Sequence, residues 1–187
     1  EQFQQAESSA SIREYAVKAY GKSSRKTELG FFLQAMRKNA EEVEVINRGC
    51  ELIWSRTCKG SSFCATTVRH GGISVLLSAV KRYPSNENIQ SCALKGLWNL
   101  ICDSPHNKSM IFEKGGFELI QNAAKNSEFI QVREWGSRLC IRITEFDRSS
   151  CEEIIMFMRN LSNDAAMQAR ACEALNNRVL QSERERM

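Results

Sequence analysis

Cys102, Asp103 and His106 bring a thiol, a carboxylate and an imidazole within five positions of the chain. A thiol beside an imidazole is the arrangement of a catalytic nucleophile and its base. These residues also flank Pro105, and an aspartate and a proline are typical of the end of a helix. The sequence therefore favours a turn with an exposed His106 over a catalytic pair.

Residues 16–23 read Ala-Val-Lys-Ala-Tyr-Gly-Lys-Ser and resemble a phosphate-binding loop in which alanine replaces the first glycine. Such a loop needs a strand before it, a helix after it and a magnesium-binding acid on another strand. The sequence predicts none of these, so nucleotide binding is not expected.

The chain has eight cysteines and two histidines, and no pair of cysteines has the C-x-x-C spacing of zinc sites. Several cysteines fall on apolar helix faces, where a thiol behaves as a small hydrophobic group. We therefore expect reduced, buried thiols and neither a metal nor a cofactor.

Composition indicates one globular domain: 42% of the 187 residues are hydrophobic, 26% are charged, and the net charge is +4. This mild charge permits acidic partners, and nucleic acid is not an expected ligand. No apolar run is long enough to cross a membrane and no signal peptide is recognisable. A cytoplasmic protein is predicted, with the nucleus as the alternative. The start at Glu1 suggests a fragment of a longer protein.

An internal repeat of 44 residues organises the chain. Gly71-Gly72 recurs as Gly115-Gly116, and the same offset carries Trp54 onto Trp98. A repeat of this length is the signature of helical solenoids. Because no segment alternates apolar and polar residues in the manner of a strand, we predict an all-α solenoid.

The predicted domain organisation has an N-terminal part and four repeat units. Residues 1–28 contain a helix over 10–20 and a polar connection over 21–28. The units comprise residues 29–72, 73–116, 117–153 and 154–187. Unit two is predicted to contain helices at 73–82, 87–102 and 107–114, with both prolines in turns. Unit three lacks the double glycine, so its short helix is expected to be lost.

One narrow line of polar residues follows the second helix of each unit, which is otherwise apolar. Residues spaced by four lie on one helix face. Parallel helices would join these faces into a groove that holds an extended peptide. We call these residues the polar strip: Asn47, Glu51 and Ser55; Ser91, Lys95 and Asn99; Glu134, Arg138 and Arg142; Glu173 and Asn177.

Residues 92–100 (Cys-Ala-Leu-Lys-Gly-Leu-Trp-Asn-Leu) and 107–116 (Asn-Lys-Ser-Met-Ile-Phe-Glu-Lys-Gly-Gly) resemble the armadillo-repeat family. The resemblance implies a right-handed superhelix, of the armadillo or HEAT type, that binds partners along its third helices. Import receptors of that family use a tryptophan and an asparagine on each such helix, and this array is incomplete here. The tryptophan position holds Glu51, Lys95, Arg138 and Glu173, and the asparagine position holds Ser55, Asn99, Arg142 and Asn177.

Two interpretations remain open for the charged centre of the polar strip. Lys95, Arg138 and Arg142 could bind an acidic or phosphorylated segment, as in family members that grip acidic peptides. Alternatively they form a solvated face and pair with Glu51 or Glu134.

Trp54 and Trp98, followed in the series by Ile141, also have two interpretations. They could be aromatic anchors beside the groove, since tryptophan is enriched at the centres of protein interfaces. Alternatively they belong to the core between repeats.

The sequence as a whole favours a non-catalytic scaffold or adaptor for a protein partner, without membrane insertion and with self-association as a further expectation. The alternative is a structural or autoregulatory segment of a larger enzyme or assembly.

Overall fold

The computed structural model describes residues 25–102, 104–145, 151–160 and 165–184. Regular structure within these ranges is entirely α-helical, which confirms the predicted all-α class. The helices are α1 (Arg25–Lys38), α2 (Val43–Thr57), α3 (Ser61–Arg69), α4 (Gly72–Arg82), α5 (Glu87–Ile101), α6 (Pro105–Glu113), α7 (Gly116–Asn126), α8 (Ile130–Ile143), α9 (Cys151–Asn160) and α10 (Ala165–Arg184).

Three features predicted from the sequence lie outside the described residues. They are the helix over 10–20, the loop-like segment over 16–23, and Asp103.

Helix boundaries repeat with the predicted period. Corresponding helices begin 44 positions apart in α2 and α5, in α3 and α6, and in α4 and α7. The offset falls to 43 between α5 and α8. The 44-residue repeat is thus a repeat of local structure, and it shortens where the sequence pattern also shortens.

The double glycines turn the chain from the short helices into α4 and α7. Gly71 and Gly115 precede these helices with φ of 74° and 63°, in the left-handed region. A residue with a Cβ is strained in this conformation, whereas glycine adopts it readily. The turn therefore depends on glycine at both positions.

Pro105 begins α6 and does not lie in a turn, contrary to the sequence expectation. Ser104 caps this helix, because its side-chain oxygen accepts a hydrogen bond from the Asn107 backbone N–H at 3.2 Å. Proline suits the first helical position, where its missing N–H would have had no partner in the helix. Pro84 does lie in the turn between α4 and α5, as predicted.

Two predicted boundaries differ from the helices. The polar connection is predicted to reach residue 28, whereas α1 begins at Arg25. The predicted boundary between units three and four follows residue 153, which lies inside α9. In both cases the first turn of the helix is rich in polar residues, so the apolar pattern begins later than the helix itself.

The described helices fall in two compact units that divide after Leu100. In the first unit, α1 packs against α2, α3 and α4. Helix α5 is buried on several sides, as predicted, with Ile89, Leu94 and Leu97 fully inaccessible. Gln90 fastens α5 to the end of α4, because its Nε2 donates to the backbone oxygens of Val80 at 2.6 Å and Tyr83 at 2.9 Å.

In the second unit, α7 packs closely along α8, and α9 packs against α6 and α10. Phe117, Ile120 and Leu139 are buried between these helices. The rings of Phe112 and Phe117 lie 5.1 Å apart.

None of the described helices is by itself long and apolar enough to cross a membrane. Helices α3 and α4 satisfy the length and composition criteria only as a pair, bent by 76°.

Candidate partner-binding site

At its N-terminal end, α5 is joined to α2 by one asparagine side chain. Asn88 Nδ2 donates to Asn47 Oδ1 and to Glu51 Oε1, both at 2.7 Å. Both acceptors belong to the polar strip. Asn47 and Glu51 are therefore bonded within the chain and are only partly exposed.

Further along α5, Lys95 lies over the indole of Trp54. Its Nζ is 4.7 Å from the ring centroid, which is the geometry of a cation–π contact. Trp54 and Trp98 are both half-buried, so neither belongs wholly to the core. In the sequence the polar strip and the tryptophans are separate features, whereas the fold brings Lys95 of the strip into contact with Trp54.

At its C-terminal end, α5 is bonded to the end of α2. Asn99 Nδ2 donates to Thr57 Oγ1 at 3.0 Å and to the Trp54 backbone oxygen at 3.5 Å, and it lies 3.2 Å from Cys58 Sγ. The Trp54 carbonyl also accepts from the Cys58 backbone N–H at 3.2 Å. Asn99 therefore adds a further donor at this end of α2.

These contacts show that α2 and α5 run parallel. The start of α5 meets the first half of α2, and the end of α5 meets the end of α2. Ser91 does not contribute to the exposed strip, because it is only 4% exposed and donates to the Asn88 backbone oxygen at 3.3 Å. Ser55 is exposed.

An open cleft of about 540 Å³ lies over this pair of helices. Arg48 at its edge is 60% exposed and pairs with Glu44 at 2.9 Å and Glu51 at 3.4 Å. Glu51 therefore has both carboxylate oxygens engaged, one by Arg48 and one by Asn88. The cleft is lined by Phe32, Arg48, Glu51, Leu52, Trp54, Ser55, Asn88 and Cys92.

In the second unit, Arg142 has the position in α8 that Asn99 has in α5. Its Nη2 donates to the Cys102 backbone oxygen at 2.6 Å, and its Nη1 pairs with Glu145 Oε2 at 2.6 Å. The Glu145 carboxylate raises the pKa of Arg142, so the charge is firmly held. Arg142 thus pairs within the chain, although its partner is Glu145 and not Glu51 or Glu134.

Glu134 and Arg138 are exposed on α8. The Arg138 guanidinium carbon lies 5.1 Å from the centre of the Trp135 ring. Ile141, which follows Trp54 and Trp98 in the repeat, is 58% exposed. At this position the second unit therefore presents an aliphatic side chain to solvent.

One described hydrogen bond joins the first part of α10 to the residue after α8. Arg170 donates to Thr144 Oγ1 at 3.5 Å. Glu173 and Asn177 are exposed, and the described contacts do not bring them beside the strip of α8.

The eight cysteines are free thiols. Cys50 and Cys92 are buried, as predicted for thiols on apolar faces, whereas Cys58, Cys151 and Cys172 are exposed. Burial raises the pKa of Cys50 and Cys92, and it raises the pKa of Cys140 to about 11. The described residues contain no cluster of three or more metal-ligand side chains.

Sequence reasoning missed four residues that bond to members of the polar strip: Arg48, Thr57, Asn88 and Glu145. The spacing of the polar strip could have identified Asn88, because this residue precedes Lys95 by seven positions and hence lies on the same face of α5. Arg48, Thr57 and Glu145 carry no comparable signal, since their roles depend on how neighbouring segments approach them.

One curated relative is "Protein aardvark" of Dictyostelium discoideum, which is 29% identical to this chain over 120 residues. The alignment covers 58% of this chain and 16% of that protein. No protein-family model and no solved structure matches the chain.

Proposed function

We propose that this chain is an armadillo-type solenoid module that binds a segment of another protein and performs no catalysis itself. The 44-residue recurrence of helix boundaries and the left-handed glycines before α4 and α7 support the repeat assignment. Parallel packing of α2 and α5 is the arrangement that such repeats require of successive long helices.

The observation that carries the binding proposal is the cleft beside Lys95 and Trp54. Phe32, Leu52 and Trp54 give it apolar walls, and half-buried aromatic side chains are common anchors in interfaces. Lys95, whose ammonium group lies over the Trp54 ring, adds a positive charge beside the cleft. A partner segment with an apolar side chain followed by a carboxylate or phosphate fits this arrangement.

The proposed site is smaller than the whole polar strip. Asn99 bonds to the end of α2, Arg142 bonds to the Cys102 backbone oxygen, and Ser91 is buried. These three residues maintain the fold in our proposal, and the partner contacts Trp54, Ser55 and Lys95.

Capture of proteins from cell extract, quantified by mass spectrometry, tests this proposal with Lys95→Glu and Trp54→Ala. We expect each variant to retain its helical circular dichroism and to lose a shared set of captured proteins by about tenfold, which corresponds to about 1.4 kcal/mol. Lys81→Glu is the matched control, since Lys81 is exposed on α4 and away from the cleft. The same captured set at wild-type yield in both variants would refute the cleft as the binding site.

A second candidate is a structural or autoregulatory segment of a larger chain. It is favoured by one observation, namely that the alignment covers 16% of the relative's length. In that case the cleft would hold a segment of the same polypeptide. A polypeptide extended beyond these 187 residues would then capture less partner than the present chain.

A further inference from the structure

The solvent-facing side of helix α8 carries exposed isoleucines as well as charged residues. Its buried side carries Val132, Gly136, Leu139 and Ile143. The opposite side is exposed throughout and consists of Ile130, Gln131, Glu134, Ser137, Arg138 and Ile141. The two isoleucines are 64% and 58% exposed, and they lie near the two ends of the helix.

Four residues of this face have the spacing of a helix-pairing seam. Ile130, Glu134, Ser137 and Ile141 are separated by four, three and four positions, the alternation by which two helices pack along their length. A single exposed isoleucine is ordinary on a protein surface. Two isoleucines at the ends of one seam, with Glu134 within the seam and Arg138 beside it, form a patterned surface.

The pattern is complementary to itself under a two-fold rotation. If two copies of α8 pair antiparallel about a point between Glu134 and Ser137, Ile130 meets Ile141 of the second copy. Glu134 then lies beside Arg138 of the second copy, and the reverse pair forms on the other side of the axis. Each contact occurs twice, as an isologous interface requires.

We propose that this face of α8 is a homodimer contact, and that its occupant is α8 of a second copy of the chain. Arg138 is suited to the role because Trp135 lies beneath its guanidinium while the residue remains exposed. One helix face buries less area than a standard interface of about 1,600 Å². We therefore expect a weak dimer that is detected only at high protein concentration.

The dimer contact and the partner-binding cleft are separate proposals, because they use different residues on different helices. Lys95 and Trp54 lie on α5 and α2, whereas the dimer face lies on α8. Loss of one function leaves the other unchanged, so their tests distinguish which proposal fails.

Sedimentation equilibrium between about 10 μM and 1 mM tests the contact. We expect the weight-average mass of the wild type to rise with concentration, and that of Glu134→Arg and of Arg138→Glu to remain at the monomer value. The double variant E134R/R138E exchanges the two charges and is expected to dimerise again. An equimolar mixture of the two single variants is expected to associate, since their faces are then complementary.

Glu118→Arg is the matched control, because Glu118 is exposed on α7 in the same compact unit and outside the seam. It should dimerise as the wild type does. Ile141→Ser should weaken the dimer without affecting the fold, since Ile141 is exposed. A wild type that stays monomeric up to about 1 mM, or single variants that still dimerise, would overturn the proposal. If both charge-reversal variants still dimerise and a surface variant of α9 or α10 does not, the dimer contact lies on another face and the proposal for α8 is wrong.

Discussion

Asn99 and Arg142 occupy the same position in successive repeats and perform the same task with different chemistry. Each donates to a backbone carbonyl at the end of the preceding long helix, either within α2 or just after α5. The Trp54 carbonyl also accepts from the Cys58 backbone N–H at 3.2 Å, so Asn99 adds a further donor to it. A position that resembles a ligand-binding site by sequence therefore makes hydrogen bonds within the chain here.

Asn99→Ala should destabilise the protein by about 1–2 kcal/mol, because Thr57 and the end of α2 lose their side-chain donor. Asn177→Ala is the control, since Asn177 has the equivalent position in α10 but is exposed. Its effect should stay within about 0.5 kcal/mol. Urea unfolding measures both, and equal losses in the two variants would contradict the bridging role of Asn99.

The buried thiols predict how stability depends on alkaline pH. Burial raises the folded-state pKa of Cys50 and of Cys140, the latter from 9.0 to about 11. Well below pH 9 both the folded and unfolded states keep these protons, so the thiols contribute no pH dependence there. As pH rises above 9, the unfolded state releases its protons first, and folding stability falls.

Above pH 9 the free energy of unfolding should fall by up to about 1.4 kcal/mol per pH unit for a fully buried thiol such as Cys50. Urea unfolding of the reduced protein at pH 8, 9 and 10 measures it. The variant C50A/C140A should show a shallower decline than the wild type, whereas Cys172→Ala, at an exposed site, should not. Equal slopes in all three proteins would contradict the assignment.

At the scale of helices, the contact between α7 and α8 depends on a glycine. A Cβ added to Gly136 would lie 2.9 Å from both the Cα and the Cβ of Ala124. Because one of these atoms is backbone, the helices would have to separate for an alanine to fit. Glycine at position 136 lowers the helix propensity of α8 but allows α7 and α8 to pack more closely.

Gly136→Ala should therefore lower stability, since overpacking costs about 1–3 kcal/mol against a gain of about 1 kcal/mol in propensity. Gly30→Ala is the control within α1, where the nearest atom is His70 Cε1 at 3.3 Å in an exposed side chain that is able to rotate away. We expect this variant to be neutral or more stable in thermal unfolding. A more stable Gly136→Ala would show that the α7–α8 contact is looser than described.

Helix positions were largely predictable because buried residues set the pattern. The expected ranges 73–82 and 87–102 correspond to α4 and α5, which are Gly72–Arg82 and Glu87–Ile101. The start of α1 was missed because its first turn is polar, and Leu29 is the first apolar residue of the helix. Apolar periodicity locates the face of a helix, but it does not locate an end that is exposed to solvent.

At the scale of the whole molecule, the repeat period was predictable and the use of the polar strip was not. Periodicity gives the angular position of Lys95 and Asn99 on their own helix. It does not give the distance to the next helix, and that distance decides whether a side chain faces a partner or the chain itself. The cleft is likewise absent from the pattern, because Phe32, Leu52 and Asn88 come from three different helices.

The bridges between α2 and α5 also bear on how the chain folds. Asn88 contacts residues 41 and 37 positions away, and Asn99 contacts one 42 positions away. Chains whose contacts are close in sequence tend to fold rapidly. During synthesis, the end of α2 acquires its bridge only when Asn99 has left the ribosome. The side-chain hydrogen bonds at the end of α2 therefore form only after α5 has been translated.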